Sequence, residues 1–431
     1  MKSTAQSVLK ALNGAIHHVS ENFRDYCPNP EKNFSRNRKL SFEDMLRIPL
    51  AMQCKSLQPE LNNYFDFKKG IPSKSAFVQK RQLVNPEAFR EVFRRFTAAV
   101  SSKKRYKGFQ LLACDGTDVN LPRNPKDTVT GVQAKPGANS YNMMHINAIY
   151  DLLSGIYTDY SFDFGCVARE TAALKQMTEH IQNPQEVILI ADRCYGSYST
   201  MLALTDKKLH FVLRAKDIES NGFLSSYNLP NTELDIEISK FLTYHRGKQY
   251  CSEEYAFVSH NTSGLDFSNT DTIPISFRLV RFQTSTENWE CLLTDLPGEI
   301  FSTQEIMKLY GLRWGIEVSF RDLKYAVGLM YFHSKKLNSI LQEVHATMIM
   351  MNFCVLLVEA LPLQEKNTWK NGQKTNFAVA VGLCRSYFLS NGKTKYLDQI
   401  HRNPSSVRPR RSYHRYLHDT KPAKSMNYRM S

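Results

Sequence analysis

"YGLRWGIEVSFRDLK", residues 310–324, decides the reading of this chain. On a helical wheel at ~100° per residue, with Tyr310 at zero, Arg313 falls near ~300°, Glu317 near ~340° and Lys324 near ~320°. Arg321 joins them near ~20° by the same count. Leu309, Leu312, Ile316, Leu323 and Val327 gather between ~200° and ~260°, a narrow apolar stripe suited to a core. The segment is therefore predicted to be a helix over 302–328 that buries one face and presents a lone carboxylate among donors and cations on the next. Its start is legible as well. Ser302 and Glu305 have the spacing of a capping box, and Phe301 and Ile306 that of a hydrophobic staple. One reading is a surface helix whose Glu317 pairs with Arg313 or Arg321, worth roughly 0.2–0.5 kcal/mol. The other is a face built for chemistry.

The whole chain narrows the choice. Its 431 residues suffice for two to four domains and at least one sizeable core. With 42% hydrophobic and 23% charged residues the composition is that of an ordinary soluble globular protein. The net charge of +15 is the departure, and it favours a polyanionic partner, most often nucleic acid. Nine scattered cysteines without a C-x-x-C pair argue against a zinc site or a disulfide framework and suit a reducing cytoplasm. Residues 1–23 lack the apolar run of a signal peptide and read as an amphipathic helix. "ATMIMMNFCVLLV" (346–358) is too short to span a bilayer and carries Asn352, so a buried helix is expected and no membrane partner. No internal repeat or phosphate-cradling G-x-x-x-x-G-K-[ST] is present, so a nucleotide cofactor has no support.

Along the chain, 1–107 reads as a helical N-terminal domain. In "VNPEAFREVFRRF" Asn85 is placed as N-cap, Pro86 at the first helical position, and Phe89, Val92, Phe93 and Phe96 share one face, with Arg90, Arg94 and Arg95 largely opposite. "IPSKSAFVQKRQLV" before it can form a short helix–turn unit with basic residues outward, which leaves DNA binding and plain packing both open for this domain. Beyond 108 the period changes. "FQLLACD" (109–115) and "EVILIAD" (186–192) are apolar strands that each end in Asp, and 142–151 and 155–164 read as strands joined by a turn. Helices are expected over 168–181 and from 197, and a strand over 210–216. Strands first and then strands alternating with helices argue for an α/β fold with a mixed sheet flanked by helices. Residues 108–216 and 292–360 form the two parts of that core, with a β-rich insertion over 217–291 and a C-terminal region over 361–431. The last 31 residues carry eight arginines and lysines against Asp419, interleaved with Tyr413, Tyr416 and Tyr428, a tail suited to phosphate contact and stacking.

Asp115 and Asp192 share a setting at the ends of apolar strands. Asp115 is followed by Gly116, so turn chemistry competes there, whereas it explains less for Asp192 before Arg193 and Cys194. Asp118 is a second acid in "DGTD", but Asp115 directly ends the strand. With Glu317 the three carboxylates can hold two divalent cations on the order of 4 Å apart across a scissile phosphate. Oxygen-only ligands suit Mg²⁺. Tyr310, Arg313 and Lys324 then stand where phosphates pass, supplying charge-assisted hydrogen bonds.

The segment fits Y-x2-R-x3-E-x6-K as Tyr310, Arg313, Glu317 and Lys324, and so resembles the signature of bacterial insertion-sequence transposases of the insertion sequence 4 family. "LLACDGTDVNLP" resembles that family's first-Asp block and "ILIADRCYGSY" its second, with "YDLLSG" between them. Asp115 and Asp192 are 77 residues apart and Asp192 and Glu317 125 apart, which agrees in kind. The resemblance, strongest over 108–335, implies an RNase H-like catalytic core with a catalytic and metal-binding triad of Asp115, Asp192 and Glu317. It implies Mg²⁺, with Mn²⁺ able to substitute, and cut-and-paste transposition: a water nicks the element's end, the freed 3′-hydroxyl forms a hairpin on the opposite strand, and the reopened end joins target DNA. The implied partner is double-stranded DNA, as terminal inverted repeats and as target, gripped through Tyr310, Arg313, Lys324 and Arg321 by a homodimer in the synaptic complex. Relatives stack an extruded base on tryptophan. Trp289 resembles that residue, although it also reads as an ordinary strand aromatic, and Trp314 is a second candidate. The alternatives are an RNase H-fold nuclease without strand transfer and a catalytically silent DNA-binding descendant.

Overall fold

The computed structural model describes residues 4–406 apart from 37, 102, 134–138, 167, 261–263, 286–287, 362–372, 401 and 403. The tyrosine-bearing part of the basic tail lies outside the described residues.

Five helices open the chain: α1 (Ala5–Glu21), α2 (Phe42–Ala51), α3 (Leu57–Tyr64), α4 (Lys74–Arg81) and α5 (Glu87–Ala99). α5 follows the sequence closely. Phe89, Val92, Phe93 and Phe96 are all buried, and the Asn85 side chain accepts a hydrogen bond from the Glu87 amide. Arg90 departs from expectation. It turns inward, its guanidinium 2.6 Å from Asp159 and 4.3 Å from the Tyr160 ring centre, because the strand over 156–164 brings a carboxylate against the helix.

The sheet then forms from β1 (Gln110–Leu121), β2 (Gly131–Val132), β3 (Tyr141–Asp151) and β4 (Ile156–Phe164). After α6 (Glu170–Thr178) come β5 (Val187–Ala191), α7 (Tyr198–Asp206) and β6 (His210–Ala215). β1 pairs antiparallel with β3 and parallel with β5, β3 pairs antiparallel with β4, and β5 pairs parallel with β6. The resulting order β4-β3-β1-β5-β6, with helices in the crossovers, is that of an RNase H-like core.

The strands that follow, β7 (Leu234–Thr243), β8 (Tyr255–Phe257), β9 (Ile273–Ser285) and β10 (Asn288–Thr294), extend this sheet. β10 pairs with β6, and the order continues β10-β9-β7-β8, so the described residues build one ten-stranded mixed sheet. Buried Arg281 on β9 ties the extension together. It pairs with Asp217 at 2.7 Å, reaches Asn231 at 2.7 Å, and lies 3.9 Å from the Trp289 ring centre.

α8 (Thr303–Leu312), α9 (Trp314–Asp322), α10 (Leu337–Ala360) and α11 (Phe377–Leu389) complete the fold. α10 is the apolar stretch read as a buried helix, and it packs in one core with α1, α2, α5, α9, α11 and one face of β1, β3 and β4. Asn352 is fully buried there yet satisfied, accepting from the Tyr157 amide and donating to the Tyr157 carbonyl, each at 2.8 Å. The helical N-terminal segment and the sheet therefore share a core.

Candidate active site

β1 does not end at Asp115, as the sequence suggested, but runs on through Gly116 to Leu121. Eight pairs with β3, from Cys114 to Leu121, hold it extended. Gly116 is required by close approach rather than by a turn: a Cβ there would stand 2.2 Å from His145 Nε2 and 2.9 Å from Glu170 Oε1. Asp192 does follow the last residue of β5, and its carboxylate caps a short 3₁₀ turn by accepting from the Cys194 amide at 2.9 Å.

Register brings the two aspartates together. Cys114 pairs with Ala191 in the parallel β1–β5 ladder, so Asp115 and Asp192 are the next residues along neighbouring strands. Alternation carries both to the face that Leu111, Ile188 and Ile190 share with α8. The parallel pairing of β1 with β5 ends at this point, beside β1 where the order reverses, and ligands of α/β sheets bind at such a point.

The third carboxylate arrives on α9. Ser302 and Glu305 form the expected capping box at the start of α8, while Phe301, Ile306 and Leu309 are buried against the sheet, each worth roughly 1.5–3 kcal/mol. The expected single helix over 302–328 is interrupted. Regular α-helix stops at Leu312 and resumes at Trp314, and Leu312 is 38% exposed instead of joining the apolar stripe. α9 is then fixed from below. Its Phe320 stacks on Tyr157 at 6.0 Å, and Ser319 shares a 2.7 Å hydrogen bond with the Tyr157 hydroxyl. Gly315 lets the helix approach the end of β3, since a Cβ there would lie 3.2 Å from Leu152. Residues Leu323–Val327 form a π-helical turn, an irregularity that recurs at functional sites, and it ends at Gly328 with φ +98°.

Arg313 occupies the centre. Buried and 7% exposed, it lies 2.8 Å from Glu317 and 3.6 Å from Asp115, linking two of the three carboxylates. Its Nε and Nη1 make no hydrogen bond, and neither does the buried hydroxyl of Tyr310. Burial pushes the Asp115 carboxyl up to about 6, with Asp192 and Glu317 adding to the rise while the Gly116 amide and Arg313 oppose it. Arg313 itself is held charged: burial works against it, but Tyr310, Glu317 and Asp115 outweigh burial.

The other residues singled out in the sequence are placed as follows. Lys324 lies in the π-helical turn, its ordinary value lowered by burial and partly restored by Asp118. Arg321 is mostly exposed and pairs with its neighbour Asp322 at 3.7 Å. Trp314 is 53% exposed at the start of α9, next to Arg313. Trp289 has one ring face covered by Arg281.

Sequence reasoning missed the support behind Asp115. On the opposite face of β1, His145 lies 2.8 Å from Asp118 and 3.3 Å from Glu170, and these acids outweigh burial to raise its pKa to about 9. No periodicity links 118, 145 and 170, and only the glycine at 116 hinted at a side chain crossing the strand.

Asp115, Asp192 and Glu317 are the residues that could hold a metal. Among the described residues no group of His, Cys, Asp or Glu is drawn close enough to hold one as it stands, and Arg313 is the cation between Asp115 and Glu317. The donor chemistry nevertheless fits a hard divalent ion: oxygen ligands only, with one carboxyl destabilised by burial and by two like charges.

Comparison with known proteins gives the family. Residues 106–353 match the family described as Transposase DDE domain. No curated protein sequence matches the chain. A cryo-EM structure of piggyBac transposase synaptic complex with hairpin DNA is similar at 10% identity and TM-score 0.46, covering 93% of this chain and 84% of that one. The chain belongs to the transposase DDE-domain family.

Proposed function

We propose that this family member is a cut-and-paste transposase of the insertion sequence 4 kind, with Asp115, Asp192 and Glu317 as its catalytic and metal-binding triad. The observation that carries the reading is Asp115, set beside Asp192 by strand register and joined to Glu317 through a buried arginine whose Nε and Nη1 make no hydrogen bond. Mg²⁺, or Mn²⁺ in its place, would supply charge neutralisation and activation of the attacking oxygen when bound by the triad.

The chain's own groups do the rest. Tyr310 and Arg313 offer buried donors that a phosphate oxygen would satisfy, and such charge-assisted bonds are strong in a desolvated site. Lys324 and Arg321 extend the positive surface along the strand. Burial and the neighbouring Asp192 and Glu317 make the ionised Asp115 costly, a cost that a divalent ion bound there would relieve. A water first cleaves one phosphodiester at the element's end and releases a 3′-hydroxyl. That hydroxyl attacks the opposite strand, exchanging one phosphodiester for another and closing a hairpin. Water reopens the hairpin, and the 3′-hydroxyl then attacks target DNA. Each joining step conserves a phosphodiester, so ATP is not consumed. Trp314 and Trp289 are the candidates to receive a base extruded near the cut. The reading includes the domain division drawn from the sequence, a homodimer when two ends are synapsed, and action in the bacterial cytoplasm at the nucleoid.

The test is joining. Purified protein is incubated with a duplex bearing the gene-flanking end, a supercoiled plasmid and Mg²⁺, and products are separated on native and denaturing gels. Hairpin ends and end–plasmid joints are expected. Cleaved ends that never form a hairpin or join the plasmid would reduce the protein to a nuclease.

A further inference from the structure

The N-terminal helices hold a second polar site, far along the chain from the carboxylates. A cleft of about 820 Å³ opens between the loop that precedes α2 and the start of α4. Lys32, Arg36, Arg38, Lys39 and Lys80 line it against a single acid, Glu31. Four of these cations are exposed, whereas Lys80 is half-buried.

The cleft is built, because its walls are anchored from below. Phe34 takes a left-handed backbone conformation (φ +57°), which costs a non-glycine residue of order 1 kcal/mol or more and persists only when packing holds it. The packing is an aromatic cluster, with Phe34 at 5.2 Å from Phe42 and 6.5 Å from Phe23. Phe34 also carries the Lys80 ammonium 3.9 Å from the ring centre. Lys39 closes the far end by donating to the Gly70 carbonyl at 2.6 Å. Burial lowers the Lys80 pKa, and the neighbouring Arg38 lowers it further, so like charges are held together here with Glu31 as the one acid in the lining.

Keeping like charges together costs free energy, and a polyanion threading the cleft would repay that cost. We propose that this cleft grips the phosphate backbone of duplex DNA, as a second anchor for the DNA cut at the carboxylate site. The inference rests on the transposase reading and deepens it by assigning Arg36, Arg38 and Lys80 as phosphate contacts. Lys80, fixed on an aromatic ring, loses less side-chain freedom on binding than a free lysine does. Its contacts go to phosphate, so they fix register and add affinity uniformly across sequences.

The experiment measures fluorescence anisotropy of a labelled duplex of about 30 base pairs between roughly 50 and 300 mM salt. Wild type is compared with R36Q/R38Q, with the charge-preserving R36K/R38K, and with K248Q as a control at an exposed cation of the sheet extension. Each phosphate contact contributes about 0.9 to the slope of log affinity against log salt. The expected result is a slope smaller by about 2 and at least a roughly tenfold loss of affinity for R36Q/R38Q. R36K/R38K is expected to recover most of the affinity and K248Q to match wild type. Unchanged slope and affinity in R36Q/R38Q, with wild-type melting behaviour, would overturn the inference while leaving cleavage by the wild type, and the transposase reading, intact. A lowered melting temperature in R36Q/R38Q that R36K/R38K does not share, with equal DNA slopes, would overturn it too. Loss of binding to phosphatidylserine vesicles but not to duplex would assign the cleft to a membrane surface instead. Failure of the wild type to bind or cut duplex at any salt would remove both readings.

Discussion

Arg81 and Arg313 are both buried arginines beside a glutamate, yet their surroundings differ. Arg81 is fully engaged, with Nε on Gln342 at 3.0 Å, Nη1 on Glu343 at 2.8 Å and Nη2 on the Ser339 carbonyl at 2.9 Å. Its partner Glu343 also accepts from the His333 amide at 2.9 Å. Burial alone would raise Glu343, but Arg81 and His333 overcome it and hold the carboxyl down at about 2. Arg313 has Nε and Nη1 without a hydrogen bond, and its carboxylate neighbour Asp115 is raised instead of lowered. The first arrangement joins α4 to α10 and is complete. The second leaves two buried donors without a hydrogen bond, which is expected where a ligand supplies one.

Breaking the complete arrangement has the largest effect on the fold. Arg81→Ala leaves Glu343 buried without its cation and is expected to cost about 3–5 kcal/mol in urea unfolding. A loss below ~1 kcal/mol would show that the two arginines are not different in kind.

Asp115 sharpens the contrast through pH. Its folded value of about 6 lies above the ordinary 3.8, so the folded state binds its proton more tightly. That contribution is fully present below about pH 4 and is lost as pH rises through about 6. Asp115→Asn, which stays neutral, is therefore expected to gain on the order of 2 kcal/mol over wild type at about pH 7.5 and nothing at about pH 3.5. Thermal melts across that range measure it, and a constant offset would contradict it.

Arg313→Met has the smallest effect on stability. It removes unsatisfied donors together with an ion pair, so unfolding is expected to stay within ~1 kcal/mol of wild type. Duplex affinity is expected to fall about tenfold in the same variant, as for loss of a desolvated phosphate contact. Destabilisation as large as that of Arg81→Ala would make Arg313 a packing residue.

Much of this was legible in the sequence because local rules were obeyed. The capping box at Ser302, the apolar face of α5 and the strand through 187–191 follow from spacing alone. Tertiary contacts hid the rest. β1 continues through Asp115 and Gly116, a turn signal on propensity, because eight β3 pairs hold it extended and His145 fills the space a side chain would need. Leu312 leaves the apolar stripe because the helix breaks at Arg313. β7 and α11 lie outside the expected elements, and Arg385 of α11 supports the π-helical turn by donating to the Val327 carbonyl at 2.8 Å. For the site, register explains why two aspartates 77 residues apart in sequence become neighbours.

We propose that Asp115, Asp192 and Glu317 cut DNA together with a divalent ion. The direct measurement is a denaturing gel of a duplex carrying the gene-flanking end, incubated with wild type, D115N, D192N or E317Q, with and without Mg²⁺ or Mn²⁺. Nicks are expected only from wild type with metal, while each variant still binds but loses more than the ~100-fold that an outer-shell partner of a metal ligand commands. Cutting by the variants at wild-type rates, or binding without cutting by the wild type in either metal, would contradict the account.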